Sequence, residues 1–104
     1  MVTRYIVTGL FITVLSAATA QAQEAPAPPP QIQPCTVCHG ADGHGTAPLF
    51  PNLAAQHLEY LTLQMELFRS GERPSHIMNT LVRTMSDEDI KIAVEYYANL
   101  PRCE

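Results

Sequence analysis

An all-α domain of about three helices is the fold class this sequence predicts, and three observations carry the prediction. Leu58, Leu61, Met65 and Phe68 recur at helical spacing with Glu59, Glu66 and Arg69 between them, which is the pattern of one buried stripe on a helix. Ser86 and Asp89 form a capping-box pattern ahead of a second such run, Ile90, Ala93, Val94 and Tyr97, so a helix starts there with acids at the positive end of its dipole. No alternating run of strand length occurs. At 104 residues the chain has room for one small domain and a modest core.

The order along the chain begins with an export signal over residues 1–22. Arg4 gives a positive start, Tyr5 to Ser16 an apolar stretch, and Ala18-Thr19-Ala20 or Ala20-Gln21-Ala22 a small-residue cleavage site. An uncleaved anchor is the competing reading, although the run is shorter than the roughly 20 apolar residues of a spanning helix. Both readings place the rest of the chain outside the cytoplasm, and the expected compartment is the periplasm. Residues 23–33 follow as a Pro/Ala-rich tether, because repeated prolines fix φ and remove backbone donors.

The folded part is expected over 34–104. Pro34 opens a short helix through Cys35 to His39 that stops near Gly40. The second helix starts around Gln56 and ends at Gly71, a left-handed stop, and the third runs from Ser86 to a stop at Pro101. Ala41 to Asn52 and Glu72 to Thr84 are expected as loops. Loops that long in so small a domain need something to pack against, and a large apolar cofactor would serve.

The formal charge of −4, with only six Lys and Arg, excludes a nucleic-acid surface, which needs clustered cations. Cys35-Thr36-Val37-Cys38-His39 is instead the pattern that attaches haem covalently, two thiols adding to vinyl groups and the adjacent imidazole binding iron. Residues three apart on a helical turn share a face, so both sulfurs meet one edge of a porphyrin. Two other uses of Cys-x-x-Cys compete. A redox dithiol usually sits in a βαβ setting, and zinc wants about four ligands, for which Cys103 or His44 would have to be recruited from outside any second paired cluster.

From Cys35 to about Pro101 the chain resembles class I c-type cytochromes of the small bacterial monohaem type. The resemblance rests on Cys35 to His39 followed by Gly40-Ala41-Asp42-Gly43, on Pro51-Asn52-Leu53, on a Met in the following loop, and on Ser86-Asp87-Glu88-Asp89 leading to Tyr96-Tyr97. It implies a small cytochrome c fold wrapped around one covalent haem c, with thioethers at Cys35 and Cys38 and His39 on iron. It also implies that the Pro51 carbonyl holds the His39 imidazole. Class I cytochromes normally start with a longer helix crossing the last one, and residues 25–34 cannot form it, so Tyr96 and Tyr97 or a partner subunit are expected to cover the gap.

The candidates for the sixth iron ligand are Met65, Met78, Met85, His44, His57 and His76. Met65 lies on the apolar stripe of the second helix, where a Met is ordinary core, and Met85 precedes the Ser86 cap as a staple against Ile90. Met78 is expected in a loop, at a distance before Ser86 that matches the ligand Met of similar small cytochromes; Met85, His76, another ligand or an open site remain alternatives. A thioether opposite imidazole raises the potential and fills the place where a small molecule would bind. The implied function is a single-electron carrier or electron-transfer subunit with no enzymatic chemistry of its own; the alternative is a haem c ligand-binding or sensor module with a weak or absent sixth ligand. The expected partners are redox proteins, with a membrane tether or partner subunit as further candidates and no small-molecule substrate. Arg69, Arg73 and Arg83 are read either as partners of haem propionates or an acidic protein, or as ordinary surface. Cys103 is left over near the end of the chain.

Overall fold

In a computed structural model of the chain, residues 9, 11–21 and 26–102 are described. Arg4, which the sequence places in an expected export signal, part of the segment expected as a tether, Cys103 and Glu104 lie outside them. Residues 9 and 11–21 have no regular structure, and Phe11, Ile12, Val14 and Leu15 are exposed. Among the described residues no helix is long and apolar enough to cross a membrane.

A 3-10 turn over Pro30–Ile32 leads directly into α1, Gln33–His39. The prolines suit this start because the first N–H groups of a helix have no partner inside it. α1 ends at Gly40, whose N–H reaches back to Thr36 O at 3.0 Å. Ile32 is the single large apolar residue of the 23–33 segment, and it is completely buried, packed with α4. Packed structure therefore starts a few residues ahead of position 34, because burying that side chain stabilises by about 2 kcal/mol.

α2 spans Leu58–Ser70 and stops at Gly71, which takes φ 85°. Left-handed backbone of this kind is open to glycine without a Cβ penalty. α3, His76–Arg83, occupies most of the stretch expected as a loop. Its Ser75 cap accepts the Met78 N–H at 3.1 Å, and Ile77, Met78, Leu81 and Val82 put apolar groups on one side, with Val82 fully buried. α4 runs Asp87–Ala98, with Ser86 Oγ accepting the Asp89 N–H at 3.1 Å. Among the described residues there is no strand.

α2 packs on both α3 and α4, while the 3-10 turn joins α4 to α1. The core between them holds Leu61 and Phe68 of α2, Val82 of α3, and Ile90, Ala93, Val94 and Tyr97 of α4. The connection from Gly40 to His57 has no helix, so its backbone groups find partners within the loop and on α4. Leu53 N donates to Gly43 O at 2.8 Å, Gly45 N to Asn52 Oδ1 at 2.8 Å, and Ala55 N to Tyr97 O at 3.0 Å. Gly43 has φ 77° and an added Cβ would lie 2.7 Å from Ala54 N, so both its conformation and its neighbour require glycine. Ala55 pays for φ 58° with roughly 1 to 2 kcal/mol of strain, which its bond to α4 offsets.

Candidate functional site

α1 is only seven residues long, yet it carries Cys35, Cys38 and His39. Cys35 and His39 are each 8% exposed and Cys38 is half-buried. The His39 Nδ1 lies 2.9 Å from the Pro51 carbonyl oxygen. A carbonyl only accepts, so Nδ1 carries the proton and Nε2 is the nitrogen free to bind a metal. Burial pushes the Cys35 thiol up, against a smaller lowering by a backbone hydrogen bond, with Cys38 adding to the rise. A thiol held protonated in this way is a poor exchange nucleophile. Among the described residues no group of three or more His, Cys, Asp or Glu could hold a metal ion.

The elements around α1 fix it from two sides. Thr46 donates its backbone N–H to Cys38 O at 2.9 Å, and its hydroxyl lies 3.1 Å from both Val37 O and Cys38 O. These contacts tie the Ala41 to Pro51 loop to the last carbonyls of α1 and so hold Pro51 beside His39. From α4, the Tyr97 hydroxyl donates to Gly40 O at 3.1 Å, and its ring meets the His39 ring edge-on, with centroids 6.4 Å apart. Tyr96 donates to Ala41 O and lies 3.0 Å from Pro26 O. The two tyrosines therefore cover the exit of α1, and burial, helped less strongly by the nearby Cys35, Tyr96 and Asp42, pushes the Tyr97 hydroxyl well above its ordinary value.

Met78 belongs to the first turn of α3 rather than to a loop, half-buried against the core. Met65 on α2 and Met85 ahead of α4 are also half-buried against that core, as core filler and staple would be. His44 is exposed and 3.7 Å from Asp42, His57 is exposed at the start of α2, and His76 is exposed at the start of α3. Arg69 pairs with Asp87 and reaches Met85 O at 3.3 Å, tying α2 to the α4 cap. Arg73 lies over the Phe68 ring at 4.6 Å and bonds Gln64 Oε1 at 2.6 Å. Both are engaged within the fold; Arg83 is exposed.

Thr46 and Asn79 are absent from the sequence reading. Each acts by side-chain bonds to backbone groups, and such bonds leave no period in a sequence. The only trace is the Ser75-to-Asn79 spacing across a helix start.

The donor set suits haem c: two thiols three residues apart on one helical turn, and a neighbouring imidazole whose free nitrogen is Nε2. Leu49, two residues before Pro51, is 89% exposed and Ile77, beside Met78 in α3, is 57% exposed, so the Gly40–His57 connection and the start of α3 each offer apolar surface of the kind a macrocycle covers.

Comparison with known proteins agrees. The family model described as cytochrome c matches residues 32–101. The chain is 38% identical over 72 residues to cytochrome c-554(548) of Halomonas halodenitrificans, covering 66% of this chain and 87% of that protein. It is 38% identical over 76 residues to the thiosulfate dehydrogenase electron acceptor of Stutzerimonas stutzeri, covering 70% of this chain and 35% of that one. Among solved structures, cytochrome c4 of Acidithiobacillus ferrooxidans matches with a TM-score of 0.58 and 35% identity, over 64% of this chain and 38% of that chain. The chain thus spans little more than a third of the last two. With the family matched over more than half of its length and a helical fold that presents the required donors, this chain belongs to the cytochrome c family, with covalently bound haem c as its cofactor.

Proposed function

We propose that the protein is a single-electron carrier or electron-transfer subunit, exported to the periplasm, with haem c joined to Cys35 and Cys38 and its iron held between His39 and Met78. When bound, haem c supplies the one-electron ferric/ferrous couple. The protein's own part is to set the ligand field and keep small molecules off the iron. The observation that carries the reading is the 2.9 Å contact between His39 Nδ1 and Pro51 O, which orients the ring and makes Nε2 a stronger donor. Met78 is supported by its half-buried place on a helix turn with a capped start, where a thioether can be held in one position.

The relative named as an electron acceptor of thiosulfate dehydrogenase supports redox proteins as partners. Residues 1–22 act in this reading as the export signal and residues 23–33 as a tether, whose end packs on α4 through Ile32. The test is carbon monoxide binding to the ferrous protein. A carrier with Met78 on iron resists the ligand, and Met78→Ala binds it readily. Rapid binding by the unaltered protein would instead identify a ligand-binding or sensor module.

A further inference from the structure

We propose that Asn79 is a positioning residue for the sixth-ligand methionine; the inference rests on the assignment of Met78 to iron. Asn79 follows Met78 directly, and its carboxamide joins three separate pieces of chain. Nδ2 donates to Phe68 O at 2.6 Å, near the end of α2, and to Arg73 O at 2.9 Å, in the connection that follows. Oδ1 accepts the Ser75 N–H at 2.6 Å, at the cap of α3. The partners fix which way the amide faces, because carbonyls only accept and an N–H only donates.

Together with the bond from the Met78 N–H to Ser75 Oγ at 3.1 Å, these contacts close a ring of hydrogen bonds around the turn that carries Met78. Asn79 is half-buried, so breaking the ring leaves backbone groups short of partners. The first turn of α3 cannot then move away from the end of α2 without losing the bond to Phe68 O. A thioether is a weak neutral ligand, and its hold on iron depends on how little its backbone can retreat. Asn79 acts on that retreat and not on the iron.

The test compares holoprotein variants in the ferric state by the weak far-red band of sulfur coordination and by titration with imidazole, which displaces a loosely held Met. Asn79→Ala should weaken the band and bind imidazole roughly tenfold more tightly than the unaltered protein, and Asn79→Gln, which keeps an amide, should recover part of the difference. Ser86→Ala removes a cap of similar worth on α4 and serves as the control for general loosening; its imidazole affinity should not change. Should Asn79→Ala fail to retain haem, Asn79→Ser is read in its place. The proposal is overturned if the Asn79 variants bind imidazole as the unaltered protein does while Met78→Ala binds it far more tightly, or if Ser86→Ala shifts equally. An unaltered protein that lacks the band and matches Met78→Ala would overturn the ligand assignment itself.

Discussion

Between Cys35 and Pro51 a few atoms decide the chemistry. The two sulfurs lie three residues apart, and the imidazole that follows them has its Nδ1 spent on the Pro51 carbonyl at 2.9 Å. Covalent attachment at both sulfurs predicts that Cys35→Ala/Cys38→Ala yields protein whose haem is removed by acidic organic solvent, while haem stays with the unaltered chain; comparing absorbance before and after extraction checks it. Tyr97 is the other telling residue. Its hydroxyl is held protonated chiefly by burial, so the folded state keeps its proton at pH values where the unfolded chain begins to lose it. The stability from this group is therefore complete below its unfolded value of 10.0 and declines as pH rises beyond it. Tyr97→Phe should show a flatter loss of thermal stability above that pH than the unaltered protein does, at the cost of the bond to Gly40. Cys35, Cys38 and His39 were legible as a pentapeptide because the attachment chemistry fixes their spacing. Thr46 and Asn79 were not, since a side chain reaching a carbonyl of another segment depends on how the chain comes back on itself.

Among the elements, α2 and α4 were the readable ones. Each has an apolar stripe and a terminator or cap with a physical cause, Gly71 after α2 and Ser86 before α4. Ser86→Ala should cost about 1 kcal/mol of folding stability, measured by denaturant titration with the haem spectrum and far-ultraviolet circular dichroism as probes. α3 was hidden because it is eight residues long and follows Gly71 and Pro74 closely, so breakers dominated the reading. Pro74 in fact stands just ahead of the Ser75 cap, where it interrupts nothing. The first element carried the opposite lesson. A proline-rich segment cannot make a long helix, as the sequence indicated, but one buried Ile32 in a 3-10 turn is enough to attach its end to α4. Ile32→Ala should destabilise the protein by roughly 2 to 4 kcal/mol, whereas a polar substitution at Gln31, which is exposed, should be nearly neutral.

At the scale of the whole molecule, the protein's apolar interior is thin. Only Ile32 and Val82 among the described large side chains are fully buried, and the connection from Gly40 to His57 adds only Leu53 and Ala54, both partly buried, against the core. A domain this small draws much of its cohesion from a buried cofactor. Protein made without haem should therefore be largely unfolded, with poorly dispersed amide signals, and acquire its protected core only in the holo form. The all-α class was evident from the absence of strand alternation. How a short N-terminal turn, two adjacent tyrosines and the α1 exit fit together was not, because that packing is set by contacts across more than fifty residues of chain, such as Tyr97 to Gly40. The account's central claim is tested most directly by the visible spectrum of purified holoprotein in its ferric and ferrous states. Sharp ferrous α and β bands, with a far-red ferric band that vanishes in Met78→Ala and survives in Met65→Ala and Met85→Ala, are the predicted result; covalent haem whose far-red band is absent, or unaffected by Met78→Ala, would contradict the His39/Met78 site.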